Sequence, residues 1–264
     1  MNSTIALLTD FGTKDNYVGV LKAVIRTINP KVCVIDLCHY IAPQDTLAAA
    51  LTLKTSYCYF PKKTIFLVVV DPGVGSNRKA IILKTPNYTF VAPDNGILSL
   101  VANETKQHHV YQITNQRYFL QPVSHTFHGR DIFAPVAAYL SKNVLPQRLG
   151  RPQKTIQKIN FPQPFLNKLK NQMDGKIIYV DRFGNLVTNI EGKFWESEKN
   201  NVSVLIKRKM IRGLSCSYCQ VSGKRLLAII NSMGYLEISL NRGSASQYLH
   251  AKEGEKVTLL FPKA

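Results

Sequence analysis

The chain of 264 residues is long enough to bury a large core, and its apolar fraction of 45% is that of an ordinary globular protein. Its strongest apolar run, residues 65–70, is far shorter than the roughly 18 to 20 residues that cross a bilayer, which argues against a membrane protein. The formal net charge of +18 would suit a surface for nucleic acid, but no nucleic-acid-binding module accompanies it, so we expect neither nucleic acid nor membrane as a partner. No basic segment precedes the first apolar run, which Asp10 interrupts, so no signal peptide is expected and the expected location is the cytoplasm.

The first part of the chain alternates apolar strand-like runs with segments of helical spacing. This alternation predicts an α/β unit with a mostly parallel sheet flanked by helices. Strands are predicted at 5–9, 32–37, 65–70, 79–83 and 90–92, and helices at 17–28, 44–60, 97–102 and 131–141.

The pattern changes after residue 150. Residues 151–165 hold three prolines and few periodic apolar residues, which is typical of a linker. Short β-type runs follow with almost no helical spacing, and they predict a smaller all-β barrel or sandwich. These runs are 176–180, 186–190, 202–206, 226–230, 235–240 and 257–261. We therefore expect domains at 1–150 and 171–264, joined by a linker at 151–170.

The five cysteines are an odd number and do not form a disulfide framework in a chain of this length. Cys216 and Cys219 have the spacing of metal ligands, but no second Cys/His pair follows them. We expect most of the cysteines to be small buried hydrophobic residues, and we expect no metal and no cofactor.

Polar side chains follow several of the apolar runs, where active sites of open α/β sheets lie. Asp10 ends the first predicted strand and has the chemistry to hold a ribose diol, with a turn cap as the lesser alternative. Asp71 ends the most apolar strand, and the turn after it returns Arg78 toward the carboxylate, as an ion pair or as part of a catalytic group. His128 precedes a predicted helix and has the chemistry of a proton acceptor or relay, although a single histidine is more often structural.

The order and spacing of these motifs resemble the S-adenosylmethionine (SAM) hydroxide adenosyltransferases, which are related to the fluorinase and chlorinase. The motifs that carry the resemblance run nearly from end to end: Thr9-Asp10-Phe11-Gly12 with Tyr17-Val18-Gly19, Asp36-Leu37-Cys38-His39, Val70-Asp71-Pro72-Gly73-Val74-Gly75 with Arg78, Ala92-Pro93-Asp94-Asn95-Gly96, Phe127-His128-Gly129-Arg130-Asp131-Ile132-Phe133-Ala134-Pro135, Asp181-Arg182-Phe183-Gly184-Asn185 with Thr188-Asn189-Ile190, and Asn231-Ser232 through Leu240-Asn241-Arg242-Gly243.

The resemblance implies an N-terminal α/β domain, a C-terminal β-barrel, and a homotrimer that binds SAM between the N-terminal domain of one subunit and the C-terminal domain of its neighbour. The implied reaction turns SAM and water into adenosine and methionine. The family's catalytic triad falls on Asp71, Arg78 and His128. Its substrate-binding residues fall on Asp10 for the ribose, Asn185 for the adenine, Asp181 and Ser232 for the methionine end, and Phe183.

Three other functions remain open at this stage. A halide-dependent synthase of 5′-halo-5′-deoxyadenosine would be expected to lack the carboxylate and imidazole of the triad, because a carboxylate on the path of a halide repels it. A protein that only binds adenosine or SAM, or a basic nucleic-acid-binding protein, would show no turnover, and the latter would bind in a steeply salt-dependent manner.

Overall fold

The computed structural model describes residues 3–105, 107–194 and 202–262, and it divides the chain into two compact units, 1–160 and 161–264. The segment 151–170, expected as a linker, carries strand structure near both of its ends. Within the described residues, no helix has the length and apolarity required to cross a membrane.

The first unit is an α/β sheet with helices on its faces. Its elements are β1 (Thr4–Thr9), α1 (Tyr17–Ile28), β2 (Cys33–Cys38), α2 (Thr46–Ser56), β3 (Ile65–Val69), β4 (Ala80–Lys84), β5 (Thr89–Pro93), α3 (Ser99–Glu104), β6 (His109–Ile113), a π-helical turn at Gly129–Phe133, α4 (Ala134–Ser141), α5 (Pro146–Leu149) and β7 (Gly150–Gln153).

Within the described residues of this unit, seven strands form one sheet in the order β2-β1-β3-β5-β4-β6-β7. The strands β2, β1, β3 and β5 are paired in parallel, whereas β4, β6 and β7 add antiparallel pairings. Because β6 is antiparallel to β4, it runs in the direction of β5, and only β4 and β7 run the opposite way. The expected mostly parallel sheet is therefore correct for strand direction, while half of its pairings are antiparallel.

The middle of this sheet is buried on both faces, as the continuous apolar run in β3 predicts. On one face, Leu7 and Leu67 pack in a core cluster with Leu21 of α1 and Val136 of α4. On the other face, the rings of Phe66 and Phe90 stack with centroids 5.1 Å apart. This packing fixes the carboxyl ends of β1 and β3 side by side.

The second unit is an antiparallel, nearly closed barrel. Its elements are β8 (Phe165–Asn167), β9 (Gln172–Val180), β10 (Leu186–Glu191), β11 (Ser203–Ile206), β12 (Lys209–Arg212), β13 (Leu226–Ile230), β14 (Tyr235–Leu240), α6 (Ala245–Leu249) and β15 (Lys256–Leu260). In the described part of the unit the strand order is β12-β11-β15-β9-β10-β14-β13, with β8 on β9, and the two terminal strands β12 and β13 approach each other. The expected all-β barrel is confirmed.

The expected burial of the cysteines is wrong. Cys33, Cys58, Cys216 and Cys219 are exposed, and Cys38 is partly buried. Cys33 lies on β2, which is the edge strand of the first sheet, and Cys216 and Cys219 lie on the connection between β12 and β13. Periodicity within one segment does not show which strand will lie at an edge.

Candidate active site

Two of the predicted site residues lie at the carboxyl ends of neighbouring parallel strands. Thr9 of β1 is in register with Val69 of β3, so Asp10 and Asp71 emerge at the same edge of the sheet. Open α/β sheets bind their ligands at this edge. The strand order therefore brings together two carboxylates that are sixty-one positions apart in the sequence.

Asp71 and Arg78 form a buried ion pair. Arg78 Nε lies 2.9 Å from Asp71 Oδ1 and 3.0 Å from Oδ2, and Arg78 Nη2 also donates to Oδ2. The side chains are only 6% and 11% exposed, respectively. The guanidinium also lies over the ring of Phe133, 5.1 Å from its centroid. A bidentate pair of this kind fixes the plane and direction of the carboxylate.

A tight loop between these two residues makes their contact possible. Ser76 N and Ser76 Oγ both donate to the carbonyl of Gly73, at 3.1 and 2.7 Å, and this turn directs the chain back toward Asp71. Gly75 has φ of +78°, and a Cβ there would lie 2.3 Å from the carbonyl oxygen of His125. Glycine thus permits both the turn and the close approach of the segment that carries His128.

The contact between Arg78 and His128 assigns the histidine proton. Arg78 Nη2 lies 2.7 Å from His128 Nδ1. A guanidinium has donors and no acceptor, so Nδ1 must accept, and in the neutral imidazole the hydrogen is then on Nε2. The expected proton-acceptor role therefore does not fit this geometry, because the remaining nitrogen of His128 is a donor.

The same surroundings keep the imidazole neutral. Burial and the positive charge of Arg78 lower the pKa of His128 below its ordinary value of 6.5, although the carboxylates of Asp71 and Asp131 oppose this shift. Asp131 is fully buried, and it holds the segment before His128 by accepting from Ser124 N at 2.9 Å. Burial alone would raise the pKa of Asp131, but hydrogen bonds from Arg130 and Ser124 hold it below its ordinary value.

Asp10 is placed by a different contact. Its Oδ2 accepts from the backbone N–H of Gln44 at 2.8 Å. Within the described residues no hydrogen bond engages its Oδ1, which leaves that oxygen to accept from a ligand hydroxyl. Asp10 thus has the geometry to bind a diol.

Asp10, Asp71 and His128 line one cavity of about 390 Å³, which we call the N-terminal cavity, and Arg78 lies behind it. Aromatic rings form much of its wall: Phe11, Tyr17 and Phe127 contact one another with centroids 5.2 to 5.9 Å apart. Four predicted site residues are therefore brought together, and the aromatic wall was not predicted, although Phe11, Tyr17 and Phe127 stand in the motifs already noted.

A separate cavity of about 570 Å³ in the second unit, the C-terminal cavity, contains three further predicted residues. Asp181, Phe183 and Asn185 line it, and the Phe183 ring is 76% exposed. Ser232 is exposed in the turn between β13 and β14 and does not line this cavity.

Hydrogen bonds give Asp181 a defined role in its own loop. Its Oδ1 accepts from the backbone N–H groups of Phe183 and Asn185, at 2.9 and 2.8 Å, and its Oδ2 accepts from Asn185 Nδ2 at 2.8 Å. The carboxylate therefore orients the Asn185 amide. Gly184 closes the turn at φ of +81°, where a Cβ would lie 2.0 Å from Ser244 Oγ.

The sequence analysis missed three residues of the C-terminal cavity, namely Tyr218, Asn241 and Arg242. Tyr218 donates its hydroxyl to the buried Glu237 at 2.9 Å, and burial together with this carboxylate raises the pKa of Tyr218 to about 12. Asn241 and Arg242 stand in a motif already noted, whereas nothing in the local sequence marks Tyr218.

The chain is similar to known proteins along nearly its whole length. The chain matches the SAM hydroxide adenosyltransferase N-terminal domain over residues 5–150 and the C-terminal domain of the same family over residues 175–258. The (R)-S-adenosyl-L-methionine hydrolase of Thermus thermophilus is 34% identical, covering 97% of this chain and 99% of that protein, and the one from Methanocaldococcus jannaschii is 32% identical, covering 97% and 95%.

A more distant relative and a solved structure are also similar to the chain. A fluorinase of Actinoplanes is 23% identical, with 98% of this chain and 97% of that protein covered. The crystal structure of an uncharacterized conserved protein from Thermotoga maritima has a TM-score of 0.91 and 39% identity, covering 97% of this chain and 99% of that chain. With both domains matched and relatives above 30% identity along nearly its whole length, the chain belongs to the SAM hydroxide adenosyltransferase family.

Proposed function

We propose that the protein hydrolyses SAM to adenosine and methionine, by nucleophilic substitution at C5′ of the ribose. The observation that carries the proposal is the cavity in which Asp71, oriented by Arg78, stands with His128 and Asp10. The names of the relatives at 30–34% identity point to the same reaction.

The chain's own residues supply what this reaction needs. A water molecule attacks C5′, the bond between C5′ and sulfur breaks, methionine leaves as a neutral thioether, and one proton is released. Asp71 is the proton acceptor, because it is a carboxylate held at the cavity wall by Arg78. His128 donates through Nε2 to the water oxygen and so orients it for attack in line with the leaving group.

The charge of the substrate suits this cavity. The positive charge on the sulfonium disperses in the transition state, which an enclosed and preorganised site favours over bulk water. Asp10 accepts from the ribose diol and fixes the distance of C5′ from Asp71. The rings of Phe11, Tyr17 and Phe127 form an apolar wall of the cavity in which the reacting atoms lie.

The second unit recognises the ends of the substrate. We assign the adenine to Asn185, whose amide is oriented by Asp181, and Phe183 to the same bound substrate. On the family resemblance we assign the methionine end to Asp181 and to Ser232, which stands in the β13–β14 turn outside the C-terminal cavity. We further propose that three copies assemble in the cytoplasm, so that the N-terminal cavity of one subunit meets the C-terminal cavity of its neighbour. No cofactor takes part in this scheme.

A halide-dependent synthase fits these residues less well. The Asp71 carboxylate at the N-terminal cavity repels an approaching halide, whereas it activates water. The identity to the fluorinase, 23%, is also lower than that to the hydrolases.

The decisive experiment identifies the nucleoside product. The protein is incubated with SAM in ¹⁸O-enriched water, with and without chloride or fluoride. The products are then separated and identified by mass spectrometry. We expect adenosine labelled at the 5′-hydroxyl, in equal amounts with and without halide, and about 10²- to 10⁴-fold slower formation by Asp71→Asn. Unlabelled adenosine, methylthioadenosine or a halonucleoside would contradict the proposal.

A further inference from the structure

The segment after β5 contacts both ends of the loop that carries the ion pair. Asn95 Nδ2 donates to the carbonyl of Val70 at 2.8 Å, and Asp94 N donates to the carbonyl of Lys79 at 2.8 Å. Val70 directly precedes Asp71, and Lys79 directly follows Arg78. Two consecutive residues therefore hold the two ends of the loop 71–78.

Further hydrogen bonds fix the side chains of Asp94 and Asn95. The buried Asp94 carboxylate accepts from Gln157 N at 2.8 Å and from Gln153 Nε2 at 3.1 Å. Asn95 Oδ1 accepts from Ile97 N at 3.3 Å, which orients the amide so that Nδ2 faces Val70. The Asn95 donor therefore has a fixed direction.

The Val70 carbonyl and the Asp71 nitrogen belong to one rigid peptide plane. A hydrogen bond to that carbonyl therefore sets the direction in which the Asp71 side chain leaves the strand. Arg78 Nε lies 2.9 Å from Asp71 Oδ1, and Arg78 Nη2 lies 2.7 Å from His128 Nδ1. Because both contacts depend on where the Asp71 carboxylate stands, a rotation of the peptide plane between Val70 and Asp71 changes both distances.

We propose that Asn95 is a positioning residue for the reaction, acting through the Val70 carbonyl on Asp71, Arg78 and His128. Its kinetic consequence rests on the proposed hydrolysis of SAM, while its geometric consequence does not. Asn95 touches no substrate in this scheme, since it does not line the N-terminal cavity. Its loss therefore changes kcat and leaves substrate binding through Asp10 in place.

The same unit offers a matched control. Asn115 also donates from Nδ2 to a backbone carbonyl, that of Arg148 at 2.7 Å, and its Oδ1 also accepts from the N–H two residues later, that of Arg117 at 3.2 Å. Asn115 and Asn95 are both partly buried. Asn115→Ala thus removes two hydrogen bonds of the same kinds as Asn95→Ala does, at a position that does not hold the loop 71–78.

The first readout is steady-state kinetics with SAM. For Asn95→Ala we expect kcat to fall by about 10- to 100-fold, as for a catalytic group misplaced by a fraction of an ångström to one ångström, with KM changed less than about 2-fold. For Asn115→Ala we expect both constants to match the wild type. Equal losses of kcat in the two variants, or an unchanged kcat in Asn95→Ala, would overturn the proposal.

The second readout needs no activity. In protein labelled with ¹⁵N-histidine, the His128 signals are assigned by comparison with His128→Gln, and the Nδ1 shift reports the hydrogen bond from Arg78. This shift should change in Asn95→Ala and stay constant in Asn115→Ala; a constant shift in both variants would contradict the positioning role.

If Asn95→Ala does not fold, Asn95→Asp takes its place, because it keeps Oδ1 for Ile97 and replaces the donor with an acceptor. The same lower kcat and the same change in the His128 Nδ1 shift are expected of it. A wild type without hydrolase activity whose His128 signal still depends on Asn95 would refute the proposed function and leave the positioning role standing.

Discussion

Replacing Asp71 by asparagine separates the chemical role of this residue from its structural role. The carboxylate accepts from Arg78 through both oxygens, whereas an amide has one oxygen and would turn its NH₂ group toward the guanidinium. The variant keeps the shape of the side chain and removes the proton acceptor. A general base contributes about 10²- to 10⁴-fold to a rate. We therefore expect kcat to fall by this factor, which is about 3 to 5 kcal/mol of activation free energy.

The ion pair also stabilises the loop 71–78. Because the two side chains are only 6% and 11% exposed, removing one charge leaves the other buried and unpaired, which costs about 3 to 5 kcal/mol when no acceptor replaces it. The amide oxygen of asparagine still accepts one hydrogen bond, so we expect a loss of stability below this range. Circular dichroism and urea unfolding of Asp71→Asn measure that loss, and the kinetics are then recorded where both proteins are folded.

The assay compares adenosine formation in a single turnover with adenosine binding measured by calorimetry. Asp71 acts on water, and Asp10 binds the ribose, so Asp71→Asn should retain adenosine affinity within about 3-fold, a change of less than 1 kcal/mol. A variant that keeps its turnover, or that loses binding as strongly as turnover, would refute this division of roles.

Three further predictions concern the same site. Asp10→Asn should weaken the binding of adenosine and of SAM together, measured by calorimetry and KM, because the N–H of Gln44 takes the single amide oxygen and an NH₂ donor then replaces Oδ1 at the diol. The pKa of His128 is lowered from its ordinary value of 6.5, so the fall of kcat on acidification should have its midpoint below pH 6.5, where protonated Nδ1 no longer accepts from Arg78; a pH profile of His128→Gln should lack this limb. Gly75→Ala should lower kcat without raising the KM for SAM, because its Cβ would meet the carbonyl of His125 at 2.3 Å and part the two catalytic loops; wild-type kinetics in that variant would contradict the role given to the turn.

Elements with a strong local pattern could be predicted from the sequence. The apolar run at 65–70 predicts β3 and places Asp71 directly after it. The helical spacing at 17–28 predicts α1 with the bounds that the structure has. The contact between Asp71 and Arg78 was also predictable, because Pro72 and Gly73 force a short loop between them. In these cases the information lies within about ten consecutive residues.

Elements determined by tertiary contacts were not predictable in this way. The strand β6 pairs antiparallel with β4, and β7 pairs antiparallel with β6, which completes the first sheet. Neither strand has a long apolar run of its own. Tyr218 reaches the C-terminal cavity because its hydroxyl donates to Glu237 of a distant strand. Such positions depend on which strands become neighbours, and the periodicity of one segment does not contain that information.

The role of His128 shows most clearly why residue type alone does not determine chemistry. An isolated histidine near a cavity suggests a base, since imidazole titrates near neutral pH. In this site the guanidinium of Arg78 contacts Asp71 and His128 at once, and because it has only donors, both partners must accept from it. For Asp71 this leaves a charged oxygen at the cavity, whereas for His128 it leaves an N–H. The capacity to take a proton from water therefore belongs to the carboxylate, and the imidazole contributes orientation.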